Sequence, residues 1–232
     1  MKHDVSPLIA RFERRYKRFF ADVTLDDGST LTAHCPNTGS LTGCKVEGAR
    51  VLLRDSNDPK RKLRYTWQAI EIDGTWVNVD TLLPNRVVCE AIEQNRIPSL
   101  TGYADMRTEV AYGDRSRIDV FLSDPGKPDC YIEVKSTTLV DGDLAMFPDA
   151  VTERGRKHLG ELVKMVTAGH RAVQLFLVSR GDVTKFRPAD HIDPAYGQAL
   201  REAANSGVEV LAYTALVNLE ETTLGKAIPV EL

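Results

Sequence analysis

Across residues 11–80, apolar and polar positions alternate in short β-prone runs at 19–25, 29–35, 50–54, 63–72 and 75–79. Turn signals separate them: Asp26-Asp27-Gly28, Asn37-Thr38-Gly39, Glu47-Gly48, Ser56-Asn57-Asp58-Pro59 and Asp73-Gly74. Gly, Asn and Asp tolerate the backbone conformations a chain reversal needs. Five short strands in about 70 residues predict a small barrel, OB-like or SH3-like, and spacing alone does not separate the two. The period then changes. From Asn85-Arg86, apolar Val87, Val88, Ala91 and Ile92 recur at helical spacing until Ile97-Pro98 stops them. This change near Leu83-Pro84-Asn85 predicts domains at 1–83 and 84–232.

The second half alternates helical and strand patterns. A strand at 108–112 leads into two apolar runs, 118–122 and 130–134, joined by a Pro/Gly/Asp-rich connector, which is a hairpin signal. A loop is expected over 139–148. Thr152 then caps a helix reaching about Thr167, with Leu159, Leu162, Val163 and Val166 on one stripe and Gly169 as its stop. The continuous apolar run at 171–179 predicts a strand buried on both faces. A helix at 193–205 and a strand at 208–213 follow. The expected whole is an α+β two-domain chain: an OB-fold-like β-barrel, then an α/β sandwich with a central mixed sheet.

Composition adds little to that fold but narrows the function. Hydrophobic content of 42% and charged content of 27% are ordinary for a soluble globular protein. No apolar run approaches the roughly 20 residues that cross a bilayer, and the N-terminal stretch lacks a signal-peptide core, so no membrane partner is expected. Cys35, Cys44, Cys89 and Cys130 form no CxxC pair and read as reduced thiols of a cytoplasmic protein. His34, Cys35 and Cys44 match no standard zinc spacing. The net charge of −3 hides an asymmetry: residues 1–88 carry 14 Lys+Arg against 11 Asp+Glu, the remainder 16 against 22. Different roles for the two halves follow from that asymmetry.

Candidate chemistry concentrates in the hairpin. Asp119 interrupts its first apolar run, and Glu133 and Lys135 flank the end of the second. Strand residues two apart share a face, so Glu133 and Lys135 project side by side, with Asp119 close if the hairpin pairs. Two carboxylates and an ammonium suit a Mg2+ or Mn2+ site of the nuclease type, completed by the Val134 carbonyl and by a carboxylate from the upstream helix, Glu90 in preference to Glu93. Downstream, Arg154 and Lys157 form a basic patch at a helix N-terminus, and His158 is a candidate for proton transfer. In the first domain Arg11, Arg15 and Arg18, then Lys60, Arg61, Lys62 and Arg64, lie among aromatic residues, a composition suited to tracking a single strand of DNA or RNA. The turn Pro36-Asn37-Thr38-Gly39-Ser40 lacks phosphate-loop spacing.

Several motifs in order resemble the sugar fermentation stimulation protein A family. They are Thr32-Ala33-His34-Cys35-Pro36-Asn37-Thr38-Gly39-Ser40, Asn57-Asp58-Pro59-Lys60-Arg61-Lys62-Leu63, Leu83-Pro84-Asn85, Ile132-Glu133-Val134-Lys135-Ser136-Thr137 and Phe147-Pro148-Asp149-Ala150. The resemblance implies an N-terminal OB-fold and a PD-(D/E)xK nuclease-like domain, whose core would be Asp119, Glu133 and Lys135. Ile118 stands where the motif has proline. Members are described as nucleic-acid-binding, with a proposed regulatory role in maltose metabolism. Two readings compete: a metal-dependent phosphodiesterase acting on nucleic acid, and a DNA-binding regulator whose nuclease fold is inactive. An enzyme of small phosphorylated or sugar substrates lacks a Rossmann or Walker motif to support it.

Overall fold

The computed structural model describes residues 7–113 and 116–232; the first six residues of the N-terminal stretch lie outside that range. The barrel is built from β1 (Leu8–Tyr16), β2 (Phe20–Thr24), β3 (Thr30–His34), β4 (Arg50–Asp55), β5 (Tyr65–Ile72) and β6 (Thr75–Asn78). Its order is β3-β2-β1-β4-β5-β6, and a parallel pairing of His34 with Thr66 joins β3 to β5. With β1 paired to both β2 and β4, the first five strands close as an OB-fold. Strand β1 is absent from the five expected strands. Its charged residues Arg11, Glu13 and Arg14 face solvent while Ala10 and Phe12 point inward. Phe12 packs 5.0 Å from the fully buried Trp67, whose indole N–H donates to the Ala69 carbonyl. The rest of the barrel core is mostly small or branched: Ala21, Val23, Ala33, Val51, Leu53, Ile70 and Val77.

The second domain has a six-stranded mixed sheet ordered β15-β14-β12-β9-β8-β7. The strands are β7 (Asp105–Tyr112), β8 (Ser116–Asp124), β9 (Lys127–Thr137), β12 (Arg171–Val178), β14 (Glu209–Val217) and β15 (Thr222–Ala227). Strands β9, β12 and β14 run parallel at its centre. Helix α1 (Leu83–Glu93) covers one face with Leu83, Val87, Val88, Ala91 and Ile92 against Val120, Ile132, Val134 and Leu175. Helices α2 (Glu153–Thr167) and α3 (Pro194–Asn205) cover the other with Leu159, Leu162, Tyr196 and Leu200 against Phe176 and Ala212. Coverage on both sides explains why β12 is apolar apart from Arg171 at its start and Gln174. Each fully buried leucine here contributes about 1.5–3 kcal/mol.

Local signals hold at the helix ends. Thr152 caps α2 by accepting from the Gly155 N–H at 3.0 Å. Asp193 caps α3, and also accepts from Thr152 N and pairs with Arg156 at 3.2 Å, tying the two helix starts together. The segment expected as a loop over 139–148 is instead the hairpin β10 (Leu139–Asp141) and β11 (Leu144–Phe147), and β11 pairs in parallel with β13 (Lys185–Pro188). Strands this short exist because a distant partner pairs with them.

Hydrogen bonds fasten the barrel to the second domain. Asn78 N donates to Ser179 O at 2.8 Å, while within the first domain the Thr81 hydroxyl ties the approach to α1 back to Pro36 O at 3.1 Å. A latch forms on Asp149, whose carboxylate accepts from the Ser40 hydroxyl (2.9 Å) and from Leu41 N (3.1 Å).

Candidate metal centre at the domain junction

Two neighbouring strands part company where the carboxylates lie. The β8–β9 register ends at Val120 opposite Ile132. Strand β8 continues along β7 to Ser116 opposite Tyr112, and β9 continues along β12 to Thr137 opposite Val178. Beyond the split, the Val134 N–H has the Asp119 carboxylate as its acceptor, at 2.7 Å. Asn85, in the first turn of α1, donates to the other Asp119 oxygen at 2.8 Å. Burial pushes the Asp119 carboxyl above its ordinary range, and the nearby Glu133 charge adds to this, against the two hydrogen bonds and Lys135.

Glu133 is almost wholly buried. Its Oε1 accepts from Lys135 Nζ at 2.6 Å and contacts His158 Nδ1. Burial alone would raise its pKa. The His158 hydrogen bond and the Lys135 charge reverse that and leave the carboxyl below its ordinary range. Gln174, fully buried on β12, donates to the Glu133 backbone carbonyl at 3.1 Å. Glu133 Oε2 is buried with no hydrogen-bond partner among the described residues.

Asp119 and Glu133 line the same two cavities. One, of about 410 Å³, lies between the domains and is walled by Asn37, Thr38, Asn85, Lys135 and Phe147 among others. The second, of about 440 Å³, is lined by Ser116, Arg117, Arg154, Lys157 and His158. A groove of about 840 Å³ on the α1 side is lined by Asp119, Glu90 and Glu93 but not by Glu133, so Glu90 shares a groove with one of the two carboxylates. Among the described residues no three His, Cys, Asp or Glu side chains gather as metal ligands. Two crowded carboxylates, one with an orphaned oxygen, fit a hard cation such as Mg2+ or Mn2+ that takes one or two protein carboxylates and otherwise water.

The basic residues expected to contact nucleic acid are scattered. Arg154 and Lys157 line the second cavity. Arg15 is half-buried and donates to the carbonyls of Gly39 (2.8 Å) and Asn37 (2.6 Å), so it braces the 36–40 turn. Arg11 donates to Gly48 O, and Arg64 pairs with Asp55 at 2.6 Å. Arg18 is exposed at a left-handed turn position (φ 63°). Lys60, Arg61 and Lys62 are exposed between β4 and β5. Three contributors to the site escaped the sequence reading: Asn85, Gln174 and the Asn37-Thr38 wall. Gln174 had one signal, as the polar residue within Val173-Gln174-Leu175-Phe176-Leu177-Val178.

Two family models cover most of the chain: the sugar fermentation stimulation protein RE domain matches residues 82–221, and the SfsA N-terminal OB domain matches 14–79. This chain belongs to the sugar fermentation stimulation protein (SfsA) family. Its relatives include the sugar fermentation stimulation protein homolog of Pelobacter propionicus, 55% identical over 97% of this chain and 98% of that one. The Geobacter sulfurreducens homolog is 54% identical over 94% and 93%. The structure of Pyrococcus furiosus SfsA in complex with Ca2+ superposes with a TM-score of 0.89 at 30% identity, covering 100% of both chains. The family architecture is thus an N-terminal OB domain followed by the RE domain, here a mixed-sheet α/β domain. No helix among the described residues is long and apolar enough to cross a membrane.

Proposed function

We propose that the chain is a cytoplasmic nucleic-acid-binding protein that hydrolyses phosphodiesters with Mg2+ or Mn2+, DNA being the preferred polymer. The barrel, residues 1–83, would hold the strand, and residues 84–232 would cut it. The observation that carries this reading is the pairing of Asp119 with Glu133 at a strand split, in shared cavities, with Lys135 Nζ 2.6 Å from Glu133. A structural scaffold has no reason to bury two carboxylates together, since their mutual repulsion costs stability. Asp119 and Glu133 would hold the cation, with the Val134 carbonyl as a further donor. Ca2+ bound to the Pyrococcus furiosus relative supports a divalent site. Bound there, such an ion would polarise the phosphodiester and lower the pKa of a coordinated water.

The protein's own residues take the remaining roles. Lys135 keeps a positive charge at the cavity wall, where charge develops on the phosphate. Arg154 and Lys157 neutralise flanking phosphates. His158 has a more specific task. Arg154 Nε has only a proton to give and donates to His158 Nε2 at 3.3 Å, so that nitrogen accepts. The proton of the neutral ring then sits on Nδ1 and points at Glu133. With both ring nitrogens engaged, His158 acts as a positioning residue for Glu133 in place of a proton carrier.

The test is incubation of labelled single- and double-stranded DNA and RNA with Mn2+ or EDTA, for wild type, Glu133→Ala and Lys135→Ala. Cleavage that needs metal and disappears in both variants, with binding kept, is expected. Binding by all three proteins without metal-dependent cleavage would overturn the catalytic reading and leave a nucleic-acid-binding protein.

A further inference from the structure

We infer that the interdomain cavity is a nucleoside subsite: it receives one unstacked base and sugar of a single-stranded polynucleotide whose adjoining phosphate lies over Asp119 and Glu133. The inference deepens the function proposed above and rests on its placement of nucleic acid at this site. The two cavities meet at Asp119, Glu133 and Arg154, and their chemistry differs. Beyond the junction, Arg117 and Lys157 join Arg154 in supplying the cations a phosphate backbone needs. On the interdomain side the walls away from the junction carry hydroxyls and amides, Asn37, Thr38, Ser136 and Thr138, around apolar Met146 and Phe147; the charged groups there are Lys135, beside Glu133, and Asp149, whose carboxylate is held by Ser40 and Leu41. Uncharged polar groups match base edges and sugar hydroxyls, and apolar surface matches a base face.

Thr137, in this lining, has a buried Oγ1 without a hydrogen-bond partner among the described residues, an unusual condition for an interior; the other such oxygen, Glu133 Oε2, is the one assigned above to the cation. At about 410 Å³ the cavity falls in the size range of small-ligand sites, roughly 300–1,000 Å³.

Access distinguishes a single strand from a duplex. Asn37 and Thr38 belong to the barrel, while Ser136, Thr138, Met146 and Phe147 belong to the second domain. The turn that carries Asn37 and Thr38 is fixed from both sides, by Arg15 within the barrel and by the Asp149 latch across the junction. A base enters between these walls only after leaving its stack, which a duplex resists and a single strand does not.

The test uses fluorescence anisotropy of a short labelled oligonucleotide, single-stranded or as a blunt duplex, in EDTA with the intact protein. Single strand should bind about tenfold or more tighter than duplex. One abasic site moved along the strand should weaken binding about fivefold or more at one position and little elsewhere. Thr38→Trp, an exposed position whose enlargement fills the cavity, should remove the single-strand preference while thermal stability stays unchanged. Equal affinity for strand and duplex with a flat abasic scan overturns the subsite, as does absence of binding to either. The cleavage assay reports separately. Metal-dependent cutting of strand and duplex alike, unaffected by Thr38→Trp, would refute the subsite alone. A single-strand preference without cleavage would refute the phosphodiesterase alone.

Discussion

His158→Ala examines how a buried carboxylate stays ionised. Glu133 has almost no contact with solvent, yet its carboxyl lies below the ordinary range, because the His158 N–H and the Lys135 ammonium outweigh the cost of burial. A hydrogen bond to a charged group is worth about 1.5–3 kcal/mol, and one pH unit corresponds to about 1.4 kcal/mol. Removing the imidazole while Lys135 remains should therefore raise the Glu133 titration midpoint. The sign for stability follows. A carboxyl depressed by folding contributes stability above its unfolded pKa, which is lost as pH falls through the folded value. The variant loses that contribution earlier, so its acid unfolding moves to higher pH. The assay is a carbon-13 NMR titration of the Glu133 side chain in metal-free protein, with acid unfolding followed in parallel. His158→Gln, which retains an N–H donor, should recover part of the shift. An unchanged midpoint in His158→Ala would refute the positioning role.

Other parts of the junction make simpler predictions. Asp149→Ala removes the acceptor of the Leu41 N–H and leaves the Ser40 hydroxyl only the residue 149 backbone carbonyl, and Leu41 is buried at a left-handed φ of 50°; a loss of about 1–3 kcal/mol is expected in urea unfolding. Glycine to alanine in a helix normally stabilises by about 1 kcal/mol, but at Gly155 the new Cβ would stand 2.8 Å from Thr152 Cγ2 and 3.0 Å from Tyr196 Cε2. Gly155→Ala should therefore lower the melting temperature, with a net cost of about 1–2 kcal/mol.

The sequence carried the elements that depend on local chemistry. The hairpin was legible because a Pro/Gly/Asp-rich connector joins two apolar runs, its chemistry because Asp119 and Glu133 interrupt them, and α2 because Thr152 and Gly169 mark its ends. The OB barrel was legible as a count of short strands, though not its closure, since the pairing of His34 with Thr66 is a tertiary fact. Strand β1 was hidden by the dense charge around its two inward positions. What escaped most completely was the surroundings of the carboxylates. Gln174 matters through its register opposite Glu133, and Asn85 through a contact 34 residues away. The 36–40 turn looked inert because its partner, Asp149, is 109 residues from Ser40. Groups brought together by strand order and domain docking leave no periodic trace along the chain.

The most direct test of the account is calorimetric titration of Mn2+ into wild type, Asp119→Asn and Glu133→Gln, each checked for an intact fold. Saturable binding in wild type that is lost in both variants is the predicted result. No binding in wild type, or binding that survives both substitutions, would contradict the assignment of these two carboxylates as the metal centre.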